Sequence, residues 1–250
     1  MLRLAIPSKG RLKEQTEAAL ARAGLQIEPL GGARGYLARI PAVPDVEVRL
    51  LSAGEIASSV ISGDVHVGVS GEDLLREQAG DLERVVRLLL PLGFGRADLV
   101  VAVPLSWLDV DSMADVDDVA ARVEAATGRK LRVATKYVRS TRRFFTAEGV
   151  GHYRIVESAG ATEGAPAAGL ADLVVDITTT GATLQSNGLK ILRDGVILRS
   201  QAQLAASLSA RWDARERDAL RALVCAIDPE QMGRPGSFDG FVAQLGSKEA

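Results

Sequence analysis

What this chain has little of narrows its chemistry first. Its 250 residues hold one cysteine, Cys225. An internal disulfide is excluded, and a reducing compartment fits. Cys225 itself reads as a small core residue. There are two histidines, His66 and His152; they supply neither a zinc-ligand spacing nor a Ser-His-Asp set, and His66, inside an apolar run, reads as structural. Aromatics make up 4%, so the core must be built from Ala, Val, Leu and Ile, which suits strands buried between Ala-rich helices. Charge of neither sign dominates. A net charge of −2 gives no global attraction to nucleic acid or to an anionic membrane, so any anion site must be local. No apolar run nears the roughly 20 residues of a membrane span. The start, MLRLAIPSKGRL, carries neither a long apolar stretch nor a cleavage site. The expectation is a cytoplasmic protein without nucleic-acid or membrane partners. Neither nucleotide-loop motif, G-x-x-x-x-G-K-[ST] or G-x-G-x-x-G, occurs.

What is present is an alternation of short apolar runs with amphipathic segments. Strands are expected at 2–6, 46–51, 65–69, 84–90 and 98–103, with helices at 11–23, near 54–62 and from about 72. After the glycines of LGFGRADLVVAVP at 92–104 the pattern restarts: helix 113–126, strand 131–135, helix 139–148, strand 153–156, helix 162–169, strand 172–177. This predicts an α/β fold of two lobes, each a parallel-rich sheet with helices on both faces and a cleft between them, with the boundary near 92–97. Beyond 188, two strands joined by an Asp-Gly turn at 194–195 are expected, then a long helix over 203–227 and a loosely ordered tail.

Four motifs carry chemistry. The strongest is ADLVVDITTTGATL at 171–184, a buried strand running into a hydroxyl-rich turn at a helix start. Thr179, Thr180 and Thr183 offer hydroxyls, Gly181 permits close backbone approach, and the turn's N–H groups converge, a combination suited to a phosphate monoester. Asp176 is placed to accept from ribose hydroxyls. The second is SKGRL at 8–12, where Lys9 and Arg11 follow a strand end, the usual ligand edge of an open α/β sheet. In the third, VGVSGEDLL at 67–75, Gly71 and Asp73 open a helix, and capping alone would also explain them. In the fourth, VATKYVRSTRRFF at 133–145, Tyr137 is placed either to stack on a base or to pack.

The turn resembles the PRPP-binding signature of phosphoribosyltransferases. Val175 stands where the type I form has a second acid, which argues against that type. In family order, SKGRL, VGVSGEDLL, LGFGRADLVVAVP, ATKYVRSTRRFF and SAGATEGAPAAGLADLVVDITTTGATLQSNGL together resemble ATP phosphoribosyltransferase, over residues 1 to about 225. The resemblance implies a fold like that of periplasmic binding proteins, with lobe I at 1–94 plus 185–200, lobe II at 95–184, and 201–250 a C-terminal helix and tail. It implies the short form, working with a regulatory subunit resembling histidyl-tRNA synthetase; the apolar stripe expected along the 203–227 helix favours, for its part, a twofold homodimer. The implied reaction joins N1 of ATP to the anomeric carbon of PRPP and expels pyrophosphate, the first step of histidine biosynthesis.

Carried over residue by residue, the resemblance implies PRPP contacts at Glu163, Asp176, Thr179, Thr180, Gly181, Ala182, Thr183 and Leu184. ATP contacts fall at Lys9, Arg11, Gly71, Asp73 and Tyr137, with Lys9 and Arg11 also catalytic. Mg²⁺ arrives with the substrates, and no dedicated protein metal site is expected. One departure stands out: Ser52 occupies a place where the family often has arginine, and Arg34 or Arg49 are the candidates to compensate. Two other readings stay open on residues alone, a solute-binding protein of the same fold and a phosphoribosyltransferase acting on a free base.

Overall fold

A computed structural model describes residues 1–30, 35–158, 160–230 and 238–245. The chain divides into two compact units, Met1–Gly95 with Gln201–Ala250, and Arg96–Ser200. The first unit contains β1 (Leu2–Pro7), α1 (Gly10–Arg22), β2 (Glu28–Pro29), β3 (Leu37–Arg39), β4 (Val46–Leu51), α2 (Ala53–Ser62), β5 (Val67–Gly71), α3 (Glu72–Ala79), α4 (Leu82–Val85) and β6 (Val86–Pro91). The second contains β7 (Ala97–Pro104), α5 (Met113–Thr127), β8 (Leu131–Thr135), α6 (Val138–Ala147), β9 (Tyr153–Glu157), β10 (Leu173–Thr178), α7 (Ala182–Ser186) and β11 (Leu189–Ser200). The chain then returns to the first with β12 (Ala202–Ser207), α8 (Ala214–Ile227) and α9 (Phe238–Gln244).

The first unit is a seven-stranded sheet, β2-β3-β4-β1-β5-β12-β6. Side chains alternate across it, as the two-residue period of a strand requires. Leu2, Leu4 and Ile6 of β1 pack with Leu20 of α1, Leu220 and Leu223 of α8, and Phe238 and Phe241 of α9. Ala5 packs on the other face with Ile56 and Val60 of α2 and Leu75 of α3. Gly68 lets α2 lie this close: a Cβ there would meet methyls of Val60 and Ile56 at 2.6 and 2.7 Å.

The second unit is a five-stranded sheet, β11-β7-β10-β8-β9. Val100, Ala102, Ala134 and Val174 share one core with Leu184 and Leu189. Both sheets are mixed. Parallel pairing is confined to β4-β1-β5 and to β10-β8-β9, and the other neighbours are antiparallel. The parallel-rich sheets expected from the sequence are therefore parallel only in part.

Several expectations change at the chain's later half. Leu189–Ser200 belongs to the second unit, where β11 pairs with β7; the segment that returns is β12, which lies between β5 and β6. The Asp-Gly pair is a bulge inside β11, not a hairpin turn. Its register against β7 shifts between Ile191 and Leu198, and Asp194 accepts a hydrogen bond from the Met113 N–H at the start of α5, 2.9 Å. The long helix over 203–227 is a strand followed by a helix. Ala202–Ser207 is buried throughout, so it shows no amphipathic period, and α8 begins at a capping box formed by Asp213 and Glu216. Leu220, Leu223 and Val224 of α8 pack into the first unit's own core, so this part of the apolar stripe is covered within the unit. Residues 162–169 hold only a 3₁₀ turn, Thr162–Gly164. Part of the tail is ordered as α9, but 231–237 and 246–250, with Gly233, Pro235, Gly236 and Gly246, lie outside the described residues, as does Arg34. Cys225 is exposed. His66 is structural: its Nδ1 accepts from the Arg3 N–H at 3.0 Å and its Nε2 faces the Arg211 carbonyl at 2.9 Å. Among the described residues no helix is long and apolar enough to cross a membrane.

An ion cluster fixes the start of β10. Asp172 accepts from Arg129 at 2.7 Å and from Arg132 at 3.0 Å, and also from the Arg132 backbone N–H at 2.8 Å. Burial alone would raise the Asp172 pKa; the bonds from Arg132 and Arg129 outweigh it and bring the carboxyl to about 2. A carboxylate lowered in the folded state stabilises the fold fully above its unfolded value of 3.8, and that stability is lost as pH falls toward the folded value. With Arg129 partly exposed and screened, the net effect is about 1–2 kcal/mol. Asp172→Asn is expected to lower stability by that amount at pH 7. In urea melts across pH, the gap to the unaltered protein should close as pH falls from about 4 to about 2.

Candidate active site

In the second unit, β8 and β10 run parallel with Leu173 opposite Val133 and Val174 opposite Ala134. The same register carried forward brings Lys136, just past β8, level with Asp176. Asp176 is half-buried. Burial raises its pKa, the Ile177 N–H (2.8 Å) and the Lys136 ammonium oppose that rise, and the Glu163 carboxylate adds to it. Three charged groups from three segments thus meet at the end of β10. Sequence reasoning chose Glu163 and Asp176 but not Lys136. The signal that would have found Lys136 is the parallel adjacency of β8 and β10, which does not appear in either strand alone.

The turn after β10 is built by its threonines. The Thr178 hydroxyl accepts from the Gly181 N–H at 2.8 Å, a role not foreseen for the first threonine of the run. The Thr179 hydroxyl donates to the Arg96 carbonyl at 3.3 Å, and the Thr180 hydroxyl accepts weakly from the Ala182 N–H at 3.4 Å. Gly181 sits at φ 77°, a left-handed conformation that costs other residues roughly 1–2 kcal/mol. Space is not the reason for glycine here, since a Cβ would meet only Ile191 at 3.5 Å. The Thr183 side chain is exposed and makes no hydrogen bond among the described residues, whereas Leu184 is buried and anchors the turn in the core. The helix that follows, α7, has only five residues. Its dipole is correspondingly small, so an anion here would be held by hydroxyls and turn amides more than by the helix.

In the first unit, Lys9 is the N-cap residue of α1 in extended backbone, without a side-chain cap. Gly10 follows at φ 75°. Lys9 and Arg11 are exposed and form no ion pair among the described residues. Lys9 lies close enough to Glu55 to help lower its pKa, behind the larger effect of the hydrogen bonds with Ser52. Those bonds show what Ser52 does: it caps α2, accepting from the Glu55 N–H at 3.4 Å while Glu55 accepts from the Ser52 N–H at 2.8 Å. Arg49 is engaged with Glu47 at 2.8 Å.

Two expected ATP contacts sit in packed surroundings. Tyr137 is 1% exposed and Asp73 is 6% exposed. Tyr137 is thus core: its ring offers no free face for a base. Asp73 folds back onto Gly71, leaving no room for a side chain there. Among the described residues no group of three or more His, Cys, Asp or Glu is arranged to hold a metal.

A sequence model of the family described as HisG, ATP phosphoribosyltransferase, matches residues 52–228. The chain belongs to the ATP phosphoribosyltransferase family. An ATP phosphoribosyltransferase of Caulobacter vibrioides is 65% identical over 238 residues, 95% of this chain and 74% of that protein. One from Rhodopseudomonas palustris (strain BisA53) is 58% identical over 94% of this chain and 72% of its own length. Among solved structures, an ATP phosphoribosyl transferase (HisG:HisZ) complex from Thermotoga maritima superposes with a TM-score of 0.69 at 26% identity, covering 94% of this chain and 100% of that one. An ATP phosphoribosyltransferase joins ATP to the phosphoribosyl group of PRPP, releasing pyrophosphate, in the first step of histidine biosynthesis. The family match takes in the threonine turn, Lys136 and Glu163, and begins after Lys9 and Arg11.

The electrostatics around Asp176 are open to direct measurement. Lys136→Met should raise the Asp176 pKa further, and Glu163→Gln should lower it, because the two neighbours act with opposite sign. A carboxyl-carbon NMR titration reads both. Equal titration in the two variants would show that neither charge reaches Asp176.

Proposed function

We propose that the second unit's turn, Thr179 to Leu184, holds the 5-phosphate of PRPP, with Asp176 and Glu163 accepting from the ribose hydroxyls. The observation that carries this reading is the exposed Thr183 hydroxyl beside a left-handed Gly181, placed just beyond two neighbouring carboxylates. Thr179, Thr180 and Ala182 complete the cradle with hydroxyl and amide groups. Lys9 and Arg11, exposed and forming no ion pair among the described residues, act on the polyphosphates and stabilise the departing pyrophosphate. Gly71 and Asp73 shape the junction of β5 and α3, and Tyr137 supports the turn between β8 and α6 from within the core.

In this reading adenine N1 attacks the anomeric carbon with its own lone pair. The bond to pyrophosphate breaks, and the leaving group takes the electron pair. Little proton transfer is required, so catalysis comes from positioning and charge stabilisation. Mg²⁺ enters as part of the PRPP complex and reduces repulsion between the two polyanions. The protein works in the cytoplasm, and a regulatory subunit resembling histidyl-tRNA synthetase controls it, as in a short-form enzyme. The similarity to the Thermotoga maritima HisG:HisZ complex supports that pairing.

Incubation with ATP, PRPP, Mg²⁺ and pyrophosphatase should produce an absorbance band of N1-substituted adenine. No such band, with or without the regulatory subunit, would remove the reading. Thr183→Ala should weaken PRPP binding by roughly 1.5–3 kcal/mol, the worth of a hydrogen bond to a charged oxygen. Gly181→Val, which forces a β-branched residue into left-handed backbone, should weaken it more. Calorimetric titration measures both, and unchanged affinity in the Gly181 variant would move the phosphate elsewhere. Lys9→Ala and Arg11→Ala should each lower kcat/KM with the melting temperature unchanged.

A further inference from the structure

The first unit contains a cavity of about 690 Å³ whose lining includes Arg3, His66, Arg211, Trp212, Asp213, Glu216 and Arg217. It lies near the start of β1, whereas Lys9 follows the end of β1. Six residues of extended chain separate Arg3 from Lys9, about 20 Å at roughly 3.3 Å per residue. The cavity is therefore not part of the SKGRL turn.

Its acids are already committed. Glu216 accepts from the Met1 ammonium at 2.8 Å and from the Asp213 N–H at 2.7 Å. Asp213 accepts from the N–H groups of Arg215 and Glu216 at 2.8 and 3.0 Å. The cations are not. None of Arg3, Arg211 and Arg217 forms an ion pair among the described residues, and the bonds Arg3 and Arg217 make go to the carbonyls of Gly63 (3.4 Å) and Trp212 (3.2 Å). Arg3 Nε is moreover buried without any hydrogen-bond partner, the one such side-chain atom among the described residues. A buried N–H of a guanidinium left unpaired is costly. His66 adds no charge, since burial lowers its pKa and its Nδ1 already accepts from the Arg3 N–H.

We propose that this cavity is a binding site for a small oxyanion of two or more charges, phosphate or a phosphate ester. Three guanidiniums outnumber the two carboxylates of the lining, Asp213 and Glu216, which are bonded to the Met1 ammonium and to backbone N–H groups, and they match that chemistry, because the guanidinium fork pairs with phosphate oxygens two at a time. The volume falls within the range of small-molecule pockets. The site is independent of the PRPP cradle, which is built from other residues in the other unit.

The two tryptophans, Trp107 and Trp212, allow a specific readout. Trp107→Phe leaves Trp212, in the cavity wall, as the sole indole. Inorganic phosphate added to this full-length variant should change its emission saturably, and chloride at equal ionic strength should not. Adding Arg211→Gln, at a side chain that makes no hydrogen bond among the described residues, should weaken the response at least about tenfold, as expected for losing a charge-assisted contact. Arg217→Gln provides a second such variant, and thermal melts confirm that each is folded. Thr183→Ala in the same background should leave the response unchanged. No saturable change, an undiminished response in both folded arginine variants, or a response abolished by Thr183→Ala would each overturn the proposal.

Discussion

Asp172 and Arg132 join the beginnings of β10 and β8 through both side chain and backbone. The parallel register that follows pairs Leu173 with Val133 and Val174 with Ala134, and carried forward it sets residue 176 level with residue 136. A parallel pair sends both strands out at the same edge, so whatever chemistry the two loops carry is delivered together. The charged environment of Asp176 therefore depends on an ion pair at the far end of the strand. Slippage by one residue would also turn the buried faces of Val174 and Ala134 outward, so the same interaction protects the core and the candidate site.

The parallel strands were legible because they are short apolar runs between amphipathic helices. Expectations at 46–51 and 131–135 match β4 and β8 residue for residue. What was hidden had no local signature. Ala202–Ser207 is wholly buried, so it shows no alternating period, while Leu204, Leu208 and Trp212 stand four residues apart, a spacing that coincides with a helical stripe. The D-x-x-E box at Asp213 marks where the helix begins. The Asp-Gly pair at 194–195 reads locally as a turn, but its outcome was decided by α5, whose first N–H needed the Asp194 carboxylate.

The candidate site divides the same way. Threonines around a glycine announce an anion turn from the chain alone, and the structure adds which hydroxyl accepts from the Gly181 N–H (Thr178) and which makes no hydrogen bond among the described residues (Thr183). Lys136 beside Asp176 could not be read along the chain, because their proximity comes from strand pairing. Tyr137 misled for the opposite reason: an aromatic just past a strand end looks available, and only burial reveals it as core. Ser52, conspicuous as a departure from the family pattern, is explained locally as a cap.

The position of β12 has a consequence for synthesis. The first unit's sheet is interrupted in the chain by the whole of Arg96–Ser200, and its missing strand belongs in the interior, between β5 and β6. On the ribosome, β5 and β6 therefore emerge with unpaired edges and wait for a strand that is made only after the second unit. At about 5–20 residues per second that interval is on the order of 5–20 s. The second unit, contiguous in the chain, can close its own sheet first. The polypeptide is thus expected to mature from its middle outward, with the apolar edges of its first-made strands the segment most in need of protection while they wait.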